Sequence, residues 1–125
     1  MTQESNILVI DDEVITLKMT KIGLERLGYV VAVFSKPKEA IAYFEEHHSI
    51  VKLVITDKNM PNISGVDILK KFKEIDANIP IIVLTGFIES EEDRQLLELG
   101  AYKNLLKPIS LKELSVEIRA ALSLS

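Results

Sequence analysis

The chain has 125 residues, 47% of them hydrophobic and 27% charged, with a net charge of −4 and no cysteine. That size suits a single domain over residues 1–125 with its own core, and the lack of cysteine excludes disulfides, thiolate metal sites and thiol catalysis. The acidic balance gives no electrostatic case for direct nucleic-acid binding. With no leader pattern at the N-terminus and no apolar run of spanning length, the expectation is a cytoplasmic protein off the membrane.

The first apolar run, Ile7–Ile10, leads straight into Asp11, Asp12 and Glu13. A helix is predicted over roughly Val14 to Leu27, with Gly28 as its left-handed stop. On a helical wheel Met19, Leu24 and Leu27 share one side with Gly23, while Ile15 and Ile22 lie on another, near Val14. The helix is either broadly buried or leaves Ile15 and Ile22 as an exposed apolar strip. The second run, Val30–Phe34, is followed by Ser35, a plausible N-cap before Lys36-Pro37. The helix that follows ends on His47-His48. Adjacent helical residues diverge by roughly 100°, and no third ligand is near, so this pair is not expected to hold a metal.

The third run, Leu53–Thr56, ends on Asp57-Lys58-Asn59-Met60-Pro61, and Ser64-x-x-Asp67 reads as the start of a third helix. The fourth, Ile81–Leu84, ends on Thr85-Gly86. Ser90-x-x-Asp93 then opens a helix whose first turn carries Glu91, Glu92 and Asp93, where the dipole favours negative charge; Gly100 stops it. The fifth, Asn104–Leu106, ends on Lys107-Pro108, with Ser110-x-x-Glu113 opening the last helix. The runs show little alternation, as expected of strands covered on both faces. Five βα units in succession predict an α/β fold: a single doubly wound (βα)5 domain with a parallel sheet.

In such sheets ligands bind beyond the carboxyl ends of the strands. With a flavodoxin-like order, 2-1-3-4-5, Asp11, Asp12 and Asp57 converge, flanked by Thr85 and Lys107. Strand 2, which ends without an ionisable group, falls outside. Three carboxylates in one cleft need compensation. A divalent cation supplies it, and oxygen ligands suit Mg²⁺. An ammonium and a hydroxyl beside it suit a phosphoryl group. A carboxylate can itself be the nucleophile, and Asp57, between the other acids and the Thr85/Lys107 side, is the best candidate. Each piece alone is common as a turn, a cap or a loop entry. Their joint placement at four strand ends is not.

Together these residues resemble the receiver domain of two-component response regulators, of the chemotaxis-regulator type, over essentially the whole chain from Asn6 to the last helix. The marks are the acidic pair Asp11-Asp12, D-x-x-M-P-x-x-x-G from Asp57 to Gly65, Thr85-Gly86, and Lys107-Pro108. The resemblance implies a phosphorylation-operated switch rather than an enzyme acting on outside substrates. Asp57 would accept a phosphoryl group from a histidine kinase or phosphotransfer protein. Asp12, Asp57 and the backbone carbonyl of Asn59 would ligate Mg²⁺, with Asp11 acting largely through water. Lys107 and Thr85 would contact the phosphoryl oxygens, and the Lys107–Pro108 bond would be cis. Gly65 would allow the tight loop into the third helix. The output would pass to an effector domain or partner protein, and Ile15 and Ile22, if exposed, would help dock the phosphodonor. Asn59 and Phe87 would flank the site mouth.

One position departs from the family. Three residues before the strand-5 lysine, where the family often has an aromatic, stands Asn104; Tyr102 would share its strand parity. Three rivals remain. A phosphatase of the haloacid dehalogenase type commonly has a second aspartate two residues after its nucleophile, but here that position is Asn59. A flavodoxin-like cofactor binder is disfavoured by the acids after strand 1, which would repel the flavin phosphate. The third is an interaction module that has lost phosphorylation, which the Asn104 departure leaves open.

Overall fold

The computed structural model describes residues 6–86 and 91–123. Ile7–Ile10 (β1), Val31–Phe34 (β2), Leu53–Asp57 (β3), Ile81–Thr85 (β4) and Lys103–Leu106 (β5) form one sheet. Its strands run in the order 2-1-3-4-5, and every neighbouring pair is parallel. This is the expected topology. The bounds shift by a residue at several ends, and two of these shifts matter. Asp57 and Thr85 are the last residues of β3 and β4, where Asp57 pairs with Leu84 and Thr85 with Leu106. Both functional candidates are therefore held by the sheet itself rather than by the loops that follow.

The helices are Val14–Arg26 (α1), Pro37–His47 (α2), Gly65–Ile75 (α3), Glu91–Glu98 (α4) and Leu111–Leu122 (α5). Side chains on alternate strand positions feed two cores. On one face Leu8, Val54, Ile81 and Val83 meet Phe44 of α2, Phe72 of α3 and Leu96 of α4. The Phe44 and Phe72 rings pack edge to face with centroids 4.8 Å apart, worth about 1 kcal/mol beyond their burial. On the other face Ile7, Val9, Ile55 and Ile82 meet Leu17 and Leu24 of α1 and Leu114 and Ile118 of α5.

The helix punctuation is mostly as the sequence predicts. Ser64 and Ser110 cap α3 and α5, accepting hydrogen bonds from the N–H groups of Asp67 and Glu113. Gly28 and Gly100 take φ of +97° and +109° beyond their helices. Ser35 does not cap α2: Lys36 occupies that position without a side-chain bond, and Pro37 begins the helix. Ser90 lies outside the described residues.

In α1 the expected wheel is corrected. Its buried residues are Leu17 and Leu24, seven apart on one narrow stripe. Met19 and Leu27 are exposed, as are Ile15 at 79% and Ile22 at 48%. The helix is thus not broadly buried. Gly23 faces α5, where an added Cβ would come within 3.0 Å of the Leu111 side chain. His47 and His48 pack on Tyr43 and Phe44, and neither joins a metal-ligating cluster among the described residues.

Candidate functional site

The carboxyl ends of β1, β3, β4 and β5 bring the predicted residues together. Asp11 follows β1 directly, and its N–H donates to the Phe34 carbonyl at 3.2 Å, so its backbone still belongs to the sheet. Its Oδ1 accepts the Glu13 N–H at 2.9 Å, which turns the chain into α1. Asp11 and Asp57 are buried, at 4% and 5% exposure, whereas Asp12 faces solvent. Each of the three offers a carboxylate oxygen within 4.8 Å of the others.

On the other side of Asp57 stands Lys107, whose Nζ donates to Asp57 Oδ2 at 2.8 Å. The Lys107 backbone is fixed in turn: its N–H donates to the Thr85 carbonyl at 2.7 Å. The Lys107–Pro108 peptide is cis, as the resemblance implied. Thr85 is fully buried at the end of β4. The Asn59 N–H makes a long contact of 3.4 Å to Asp57 Oδ1. Asn59 itself is exposed, in a short antiparallel ribbon of Asn59–Met60 with Ile63–Ser64. Phe87 lies outside the described residues.

The electrostatics follow from this crowding. Burial pushes the Asp11 carboxyl above its ordinary value, and the charges of Asp57 and Asp12 add to the rise; the Glu13 N–H and Lys107 oppose it without cancelling it. Burial alone would pull the Lys107 ammonium down. The hydrogen bond and charge of Asp57, with Asp11 and Glu13, outweigh that and raise it. One ammonium thus faces three carboxylates, leaving net negative charge in an all-oxygen donor set. That chemistry fits a hard divalent cation of the Mg²⁺ class.

A sequence profile described as the response regulator receiver domain matches residues 7–119. The chain belongs to this receiver family. Among relatives, it is 34% identical over 120 residues to a "Probable transcriptional regulator ycf27" of Porphyridium aerugineum, covering 96% of this chain and 49% of that protein. It is 29% identical to the "Regulatory protein AtoC" of Escherichia coli strain K12, covering 99% of this chain and 26% of that one. The chain therefore spans about half the length, or less, of these curated relatives. A receiver domain protein from Clostridium thermocellum superposes with a TM-score of 0.90 at 36% identity, over 95% of this chain and 94% of that one. A CheY-like receiver from Methanospirillum hungatei gives 0.88 at 28%, over 97% and 95%. Receiver domains are signalling switches of two-component systems, and the doubly wound architecture seen here is theirs.

Within this receiver, sequence reasoning missed a buried ion pair. Lys58, next to Asp57, is only 6% exposed, and its Nζ lies 3.0 Å from Oδ1 of the equally buried Asp93. Strand alternation was the available signal: a residue after Asp57 must point to the opposite face, where the apolar helices lie. The reading of Gly65 also changes. Its φ is not positive; a Cβ there would lie 3.1 Å from the Lys58 carbonyl and 3.2 Å from Lys58 Cγ. The pressure for a small residue here comes from the close approach of the lysine, not from a positive φ. Tyr102 precedes β5 and packs with the α1/α5 core. It therefore does not share the face of Asn104, whose Nδ2 donates to the Asp93 carbonyl at 2.8 Å.

Proposed function

We propose that the chain, as one receiver domain over residues 1–125, is operated by phosphorylation of Asp57. The observation that carries this reading is the Asp57 carboxylate itself. It is buried, tied at 2.8 Å to Lys107 and within 4.8 Å of two further acids. The phosphodonor is a phosphohistidine on a sensor kinase or phosphotransfer protein. An Asp57 carboxylate oxygen attacks phosphorus, the new P–O bond forms as the P–N bond to imidazole breaks, and the electron pair stays on the ring. Asp11, Asp12, Asp57 and the Asn59 carbonyl are the groups that would hold Mg²⁺, with Asp11 acting largely through water. When bound, the ion supplies charge neutralisation to the acids and the phosphoryl oxygens. Lys107 transfers its hydrogen bond from Asp57 to a phosphoryl oxygen, and the Thr85 hydroxyl donates to another.

The donor docks across α1. Ile15 and Ile22 are exposed there, and a groove of about 660 Å³ between α1 and α5 opens onto Asp11 and Lys107. A helix lying on this strip brings its histidine to the mouth of the site. The acyl phosphate then adds charge at Asp57 and shifts α4, which passes the signal to an effector domain or partner protein. The domain turns over no outside substrate and acts in the cytoplasm. No helix among the described residues is long and apolar enough to cross a membrane.

Incubation with Mg²⁺ and acetyl phosphate tests this reading. Intact mass should show one phosphoryl adduct, absent without Mg²⁺ and absent in Asp57→Asn. Full labelling of that variant would overturn the assignment.

A further inference from the structure

Lys58 and Asp93 are the two ends of a buried ion pair that joins β3 to α4. The Lys58 N–H donates to the Leu84 carbonyl at 2.8 Å, so its backbone continues the sheet past Asp57. Its stem passes against Gly65 at the start of α3. Its ammonium ends at Asp93 Oδ1, with Glu92 Oε1 at 3.9 Å. The next residue is Asn59, whose carbonyl is the expected metal ligand. Moving Lys58 therefore moves the peptides on both sides of it, one leading back to Asp57 and the other on to Asn59.

The far end of the pair is equally constrained. Asp93 sits in the first turn of α4, and its backbone carbonyl accepts the Asn104 Nδ2 from β5. Oδ1 of Asn104 is buried, with no hydrogen-bond partner among the described residues. A buried ion pair is weak evidence for stability, because apolar residues of the same volume often serve as well or better. Such a pair can serve to hold one arrangement rather than to add stability.

We propose that Lys58 is a positioning residue that ties the metal-binding loop to the first turn of α4 through Asp93. The inference rests on the reading of Asp57 as a Mg²⁺-dependent phosphoacceptor. Because the link is mechanical, it acts in both directions: occupancy at Asp57 moves α4, and the position of α4 sets the affinity of the loop for the ion.

The test uses the full chain and the double substitution Lys58→Met with Asp93→Asn. This pair removes the link without changing net charge, so a change in Mg²⁺ affinity reports positioning rather than field. Lys58→Met with Asp93→Ser, equally neutral in net charge, is the second variant, should the first fail to fold. Mg²⁺ affinity is measured by NMR titration, and amide exchange of α4 is followed with and without Mg²⁺ plus beryllium fluoride, a phosphoryl mimic. Urea unfolding reads any loss of global stability separately. The expected result is Mg²⁺ binding weakened about tenfold, as for other groups that orient metal ligands. The α4 exchange response of the parent chain should be largely lost. A folded variant with parental Mg²⁺ affinity and a parental α4 response would overturn the inference alone. A parent chain that binds neither probe would overturn the phosphoacceptor reading and this inference with it.

Discussion

Lys107 Nζ lies 2.8 Å from Asp57 Oδ2, although the two residues are 50 positions apart in the chain. The contact exists because β3, β4 and β5 lie side by side and end together. Lys107→Met should slow labelling by acetyl phosphate by about 10²-fold, the usual cost of losing one donor to developing negative charge. The pH dependence has a definite sign. The Lys107 pKa is raised in the fold, so the pair contributes fully below the ordinary lysine value of about 10.4 and is lost as pH rises through the raised one. Urea midpoints of the parent should therefore fall above that pH, and those of Lys107→Met should fall less.

Asp11 titrates in the same sense but in the acid range. Its carboxyl is raised by burial and by its acidic neighbours, so the folded chain binds that proton more tightly than the unfolded chain. Without metal, the penalty appears as pH rises from the ordinary aspartate value near 3.8 through the raised one, and is complete above it. Asp11→Asn should then stabilise the metal-free chain at pH 7 by about 1 kcal/mol. Mg²⁺ at about 100 times its dissociation constant should stabilise the parent by about 2.7 kcal/mol, and the variant by less. Unchanged urea midpoints in both comparisons would contradict this.

Ile15 and Ile22 make a surface prediction. Both are exposed, so changing them to serine should alter stability by no more than about 0.5 kcal/mol. Labelling by acetyl phosphate should be unchanged, because the small donor needs no docking. Transfer from a cognate phosphohistidine protein should slow, and normal transfer would refute the docking role.

Gly65 gives a steric test. Gly65→Ala places a Cβ 3.1 Å from the Lys58 carbonyl and 3.2 Å from its Cγ. The backbone oxygen cannot swing away as a flexible side chain can. Destabilisation of about 1–3 kcal/mol is expected. A substitution neutral in urea unfolding would show that the loop yields freely.

Much of this protein is legible in its sequence. Uninterrupted runs such as Leu53–Ile55, each followed by a helical pattern, specify strands covered on both faces. A parallel sheet places strand ends together, so Asp11, Asp57, Thr85 and Lys107 could be assigned to one cleft from topology alone. These features depend on periodicity and connection rules, which are local or nearly so. Tertiary structure decided the rest. Which stripe of α1 is buried depends on where α5 lies, and Leu17 rather than Met19 meets the sheet. Tyr102 has the wrong face because β5 begins one residue after it. Lys58, Asp93 and Asn104 meet across β3, α4 and β5, and no spacing along the chain encodes that. A buried charge finds its partner through packing in three dimensions, so its role becomes visible only when the helices are in place.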